Sequence, residues 1–295
     1  MDKYNLDLSG VYTAIITPFS KDSELVDYAS LEALIEYQIR GGVAGLVVCG
    51  STGEASTLSG AEYLDVVRFV RERTRGKLPC VCGISVSATS RAVELAKFAE
   101  EIGCDGVLLA APPYNKPTQV GIIEHFRAVH RASSLPIVAY NIPSRSAVTI
   151  SPHTLGALSQ EGVICAIKES TGSVDALADT IACARQDCQV VSGDDSMTLA
   201  TMAYGGIGAI SAGANAMPDE MVGLVRAWQA GNTAEAQRIQ MKLLGRLRAL
   251  FIETNPVPVK TILALKGVIA HPAVRLPLVP LSKASLEKLK AEFQI

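Results

Sequence analysis

The sequence predicts an α/β fold: a closed (β/α)8 barrel followed by a C-terminal helical region. Three observations point there. Eight short apolar, β-rich runs recur along the chain, amphipathic helical stretches separate them, and nearly every run ends in a polar loop. The runs are Val11 to Thr17, Gly45 to Cys49, Pro79 to Gly83, Gly106 to Ala110, Pro136 to Tyr140, Val163 to Lys168, Gln189 to Ser192 and Ile207 to Ser211. Their near-continuous apolar character suits parallel strands covered on both faces. Between them, "YASLEALIEYQIRGG", "GAEYLDVVRFVRERTRGK" and "SRAVELAKFAEEIGCDG" carry apolar residues at i, i+3, i+4 spacing and close on glycine. The rival is an open, doubly wound sheet. That fold places a glycine-rich phosphate loop after its first strand, whereas this position reads "TPFSKDSE", so the barrel is preferred.

Past Ser211 the pattern changes. "PDEMVGLVRAWQAGNTAEAQRIQMKLLGRLRALF" predicts two helices, with Pro218 opening the first and Gly231-Asn232 separating them. "NPVPVKTILALKGVIA" predicts another helix, and "SKASLEKLKAEF" a last one. The expected organisation is a catalytic barrel over residues 1–215 and a helical region over 216–295 packed on it.

Composition removes several function classes. The chain has 295 residues, 48% hydrophobic and 19% charged, with a net charge of −2. This balance offers no basic face for nucleic acid, and no apolar run reaches the ~20 residues of a membrane span. The polar start, "MDKYNLDLSG", does not resemble a signal peptide. The seven cysteines form no metal-site spacing, and several lie in apolar runs where a thiol acts as a small hydrophobe. Reduced thiols and a cytoplasmic setting are expected. Cys80-Val-Cys82 alternates as a strand does, which suits packing better than metal binding.

In an α/β barrel the site lies where strands end. Here the runs hand over to "TPF", "GSTGEAST", "GISVSATS", "APPYNKP", "YNIPSRS", "KESTG", "SGDDS" and "SAGAN". One polar loop means little; so many around one rim predict an active site. Lys168 closes the sixth run. A lone lysine there would ordinarily end the strand and reach water. On a crowded rim it has a chemical use, because desolvation makes a lysine available as a neutral amine that attacks a ketone to form a Schiff base. That chemistry needs no metal or other cofactor, and none of the four histidines (125, 130, 153, 271) falls in a strand-end motif, which speaks against a zinc-dependent aldolase. Proton shuttling falls to Tyr140, Tyr114 and the hydroxyls of Ser51 and Thr52, although single tyrosines more often pack with a wet tip. Gly50 and Gly53 let backbone N–H groups approach a small carboxylate. Arg145 offers a bidentate fork for a second one. Glu54, Asp194 and Asp195 are expected to hold loops, and Glu169 to face away from Lys168.

"GSTGE" at 50–54, "YNIPSR" at 140–145, "IKESTG" at 167–172 and "SGDD" at 192–195 resemble the pyruvate-dependent class I aldolase family, which includes N-acetylneuraminate lyases and dihydrodipicolinate synthases. The resemblance runs from about Gly10 to the end. "PSR" after the tyrosine, "PYNKP" at 113–117, "NPVPVK" at 255–260 and "RLPLVPL" at 275–281 look like the synthase branch. The resemblance implies that Lys168 forms the Schiff base with pyruvate and that Tyr140 is the acid/base beside it. It implies a relay of Ser51, Tyr114 and Tyr140, with Tyr114 reaching in from a neighbouring subunit. Thr52 would hold the pyruvate carboxylate, Arg145 the carboxylate of aspartate semialdehyde, and Gly193 and Ile210 would line the site with carbonyls. The implied reaction is condensation to 4-hydroxy-tetrahydrodipicolinate on the route to diaminopimelate and lysine, in a homotetramer built as a dimer of dimers.

Two departures qualify this. Ser51 stands where the synthases usually carry threonine, and "GST" also occurs in relatives. The positions of the family's lysine-feedback cleft match Gly60, Ser87, Arg91 and Pro113 here, so insensitivity to lysine is expected. A pyruvate-dependent lyase or dehydratase for a sugar-derived 2-keto acid is the runner-up, and a non-catalytic keto-acid sensor the third reading. Arg145 argues against the former, since a polyhydroxylated aldehyde has no need of it. The intact Lys168, Tyr140 and hydroxyls argue against the latter.

Overall fold

The computed structural model describes residues 6–295. Its first half runs β1 (Gly10–Ala14), α1 (Tyr28–Arg40), β2 (Gly45–Val48), α2 (Gly60–Thr74), β3 (Cys80–Ile84), α3 (Thr89–Glu101), β4 (Gly106–Ala110), α4 (Gln119–Ala132) and β5 (Ile137–Asn141). Then come α5 (Pro143–Ser146), α6 (Pro152–Gln160), β6 (Ala166–Glu169), α7 (Val174–Cys183), β7 (Gln189–Ser192), α8 (Thr198–Ala203) and β8 (Gly208–Ser211). Four helices follow: α9 (Pro218–Gln229), α10 (Thr233–Ala249), α11 (Val257–Leu265) and α12 (Lys283–Phe293). The eight strands pair in parallel, in chain order, and β8 closes on β1. The predicted barrel is therefore observed.

Strand parity divides the core in two. Tyr12, Val47, Val81, Leu108, Val138, Tyr140, Ala166, Val191 and Ile210 fill the barrel interior. Their neighbours of opposite parity, among them Leu46, Cys82, Leu109, Ala139 and Ile167, pack outward with helix residues such as Leu34, Val67, Ala96 and Phe126. Burial on both faces explains the unbroken apolar runs. Helix starts follow local chemistry. Asp27, Ser59, Thr118, Ser151, Ser173, Asn232 and Ser282 each accept a backbone N–H of the following first turn. Glu62 completes a capping box with Ser59.

β6 starts three residues later than its sequence suggests. Val163 and Ile164 are buried, but their N–H groups turn back to the Leu158 carbonyl at the end of α6, so β6 begins only at Ala166. After β8, α9 packs on β1 and α8, α10 on α9, and α12 on α10 and α11.

The C-terminal helices are tied to the barrel by a buried ion pair. Lys260 of α11 is fully buried and meets Glu54, in the loop after β2. The Lys260 ammonium also donates to the Ala273 carbonyl at 2.9 Å and lies 3.9 Å from the Phe19 ring centroid. Desolvation, opposed by Glu54, holds its pKa down at about 8. Removing one member of such a pair strands the other charge. Lys260→Met should cost about 3–5 kcal/mol in urea unfolding, and Glu54→Gln added to it should recover part of that. A loss below 1 kcal/mol in the single variant would contradict a buried, structure-bearing pair.

His125 carries a second consequence. It is 2% exposed on α4 and shares a 3.0 Å hydrogen bond with Thr89 Oγ1. Burial pushes its pKa down to about 4 from 6.5. Between those values the unfolded chain takes a proton that the folded chain refuses, so stability falls as pH drops from about 6.5 to 4. The expected loss is about 3 kcal/mol. Denaturant midpoints at pH 7 and pH 4.5 should show this slope in the wild type and its reduction in His125→Gln; equal slopes would refute it.

Candidate active site

Strand parity aims Lys168 into the barrel. It sits in register between Tyr140 of β5 and Val191 of β7. Lys168 and Tyr140 are 4% and 5% exposed. The ammonium lies 4.1 Å from the centroid of the Tyr140 ring. Among the described residues the Lys168 amine has no ion-pair or hydrogen-bond partner. Glu169, of opposite parity, faces outward as expected, where it accepts from Asn141 Nδ2 at 3.0 Å and from the Thr171 N–H at 2.7 Å.

A glycine makes room for this lysine. A Cβ on Gly193, just past β7, would come within 2.8 Å of both Lys168 Cγ and Cε. The stem therefore lies flat against bare backbone. Gly193 lines a cavity of about 400 Å³ with Ile142, Ser144, Arg145, Ser170, Asp194, Ser196, Leu247, Arg248 and Phe251. Lys168 packs directly against Gly193, one of the residues that line this cavity.

The loop after β2 is pinned from several sides. Thr17 Oγ1 donates to the Gly53 carbonyl at 2.7 Å, and the Gly53 N–H donates to the Gly50 carbonyl at 3.0 Å. Thr52 is buried, and its hydroxyl accepts from Asn255 Nδ2 at 2.9 Å. The Asn255 carbonyl in turn accepts from Arg145 Nη2 at 3.0 Å. One residue of the C-terminal region thus touches both expected carboxylate holders. The acidic residues of the rim hold loops, as anticipated. Glu54 accepts the Arg275 N–H at 3.2 Å, Asp194 accepts the Ser196 N–H at 3.0 Å, and Asp195 accepts the Gly213 N–H at 2.7 Å. Burial raises the Asp195 pKa.

The predicted site residues do not all meet within one chain. Lys168, Tyr140 and Ile210 face the barrel interior, Arg145 and Gly193 line the cavity, and Ser51 and Thr52 stand on the neighbouring loop. Tyr114 stands apart: it is 89% exposed, with φ of 72° in the loop after β4. Sequence reasoning assigned no role to Ser170, Arg248, Phe251 or Asn255. The "NPVPVK" stretch is the available signal for Asn255; α10 carries none, because its amphipathic pattern reads as packing. Cys80 and Cys82 lie in β3 as buried free thiols. Among the described residues, no group of three His, Cys, Asp or Glu side chains is placed to hold a metal ion, and no helix is long and apolar enough to cross a membrane.

Comparison with known proteins agrees with this architecture. A 4-hydroxy-tetrahydrodipicolinate synthase of Citrifermentans bemidjiense is 44% identical over 282 residues, covering 96% of each chain. The crystal structure of dihydrodipicolinate synthase from Aquifex aeolicus superposes with a TM-score of 0.94 at 40% identity, over 97% of each chain. The chloride-inhibited dihydrodipicolinate synthase of Acinetobacter baumannii, solved in complex with pyruvate, gives 0.94 at 36% identity over 98% of each. The model of the dihydrodipicolinate synthetase family matches residues 7–295, and the chain belongs to that family.

Proposed function

We propose that this chain is a Schiff-base lyase that condenses pyruvate with L-aspartate 4-semialdehyde to give 4-hydroxy-tetrahydrodipicolinate, in the cytoplasm and without a metal or other cofactor. The observation that carries the reading is Lys168: buried, aimed inward, unpaired among the described residues and set against the Tyr140 ring. In this reading Lys168 Nζ attacks C2 of pyruvate, and loss of water leaves an iminium. The iminium acidifies C3, whose proton passes to the hydroxyl relay while its electron pair forms the enamine, and the enamine carbon attacks the aldehyde carbon. The aldehyde oxygen becomes the 4-hydroxyl. The amino group of the semialdehyde then adds to C2 and displaces Lys168, which closes the ring and frees the enzyme.

Tyr140, Ser51 and Tyr114 would pass these protons. Thr52 and its loop would hold the pyruvate carboxylate, Arg145 the semialdehyde carboxylate, and the carbonyls of Gly193 and Ile210 would line the path. The exposure of Tyr114 supports its contribution to a second copy's site, in a dimer of dimers. Arg145 at the cavity favours a carboxylate-bearing aldehyde over a sugar-derived keto acid.

Steady-state turnover of pyruvate with aspartate semialdehyde tests the reading. The wild type should condense the pair, and Lys168→Ala should lose several orders of magnitude in kcat. No condensation by the wild type would refute it. The feedback positions yield a further expectation. Arg91 lies against Gly60, where a Cβ would stand 3.6 Å from the guanidinium, and it pairs with Glu94 at 2.8 Å. An arginine there, engaged with Glu94, does not supply the free anion that would hold an ammonium group of lysine. Turnover should be unchanged by millimolar lysine, and inhibition at that level would contradict the expectation.

A further inference from the structure

The cavity holds a cation that the proposed reaction does not use. Arg145 enters from α5, whereas Arg248 enters from the last turn of α10 on the C-terminal side of the chain. The bland account of Arg248 is a basic residue complementing its helix C-terminus. Arg246, in the same turn, spends its charge on Glu220 at 3.1 Å. Arg248 makes no ion pair or side-chain hydrogen bond among the described residues, and it is exposed. Its place at the cavity is built by packing. A Cβ on Gly213, past the end of β8, would come within 2.8 Å of Leu247 Cδ2, so bare backbone at Gly213 lets α10 lean onto the barrel mouth. Leu247 is buried there, and Arg248 and Phe251 complete the outer wall.

The charges of the cavity wall are then two guanidiniums against the single carboxylate of Asp194, which already accepts the N–H and hydroxyl of Ser196. Arg145 has one donor committed to the Asn255 carbonyl. We propose that Arg248 is a second carboxylate-recognition residue of this site, one that captures the acidic aldehyde partner and sets its apparent affinity. This deepens the proposed function and rests on it. The expected signature is electrostatic: an effect on the aldehyde, weakened by salt, and none on the Schiff-base step.

The test compares the wild type, Arg248→Gln and Arg248→Lys. At low ionic strength Arg248→Gln should raise the KM for aspartate semialdehyde about five-fold, with kcat and the KM for pyruvate unchanged. Arg248→Lys should restore most of the loss, and added potassium chloride should shrink the difference. An unchanged aldehyde KM, or an equal change in the pyruvate KM, would overturn the proposal while leaving the reaction itself in place. Should the wild type fail to condense the pair, the proposed function falls instead. The same three proteins are then titrated calorimetrically with succinate, a dicarboxylate unable to form an imine. A similar weakening in Arg248→Gln supports a carboxylate subsite, and equal binding by all three removes it.

Discussion

Taking an amine out of water is costly, and this chain does it twice with opposite outcomes. Lys260 is enclosed between Glu54, the Ala273 carbonyl and the Phe19 ring. Its charge is compensated, so it holds α11 to the barrel. Lys168 is nearly as buried, with the face of Tyr140 over its ammonium, the backbone of Gly193 along its stem, and no direct ion pair among the described residues. Unlike Lys260, it is not held in a direct ion pair, and it packs on a residue that lines the cavity. The proposed Schiff-base role of Lys168 rests on this difference between the two amines.

The C-terminal helices complete the barrel mouth as well as covering it. Asn255 joins the Thr52 loop to Arg145 through one side-chain and one backbone hydrogen bond. Glu54, on the same loop, is anchored by Lys260 and by the N–H of Arg275. The Arg275 guanidinium reaches Glu62, the capping-box residue of α2, with both nitrogen arms, and holds that carboxyl down at about 2. Two glycines allow close approaches at the mouth: Gly193 admits the stem of Lys168, and Gly213 admits Leu247 of α10.

Much of this was readable in the sequence, for local reasons. Two-sided burial makes barrel strands continuously apolar, so β4 and β7 fall on Gly106–Ala110 and Gln189–Ser192, as read. The rim position of the sixth run points Lys168 to the pocket, and strand parity then turns Glu169 away from it. The β6 start was read early because Val163 and Ile164 are apolar through burial, although their N–H groups belong to the end of α6. What stayed hidden is what distance in the chain conceals. Asn255 meets Thr52 across 203 residues, and Lys260 is farther still from Glu54. Nothing local marks Lys260 as buried or Arg248 as a cavity residue. Tyr114 was readable as a tyrosine on the rim, but a single chain leaves it in solvent.

The most direct test of the contrast between the two lysines is reductive trapping. The protein is treated with borohydride in the presence of pyruvate and then mapped by peptide mass spectrometry. The account predicts a reduced pyruvate adduct on Lys168 alone, with Lys260 unmodified. An adduct on Lys260, a spread over surface lysines, or no adduct at all would contradict it.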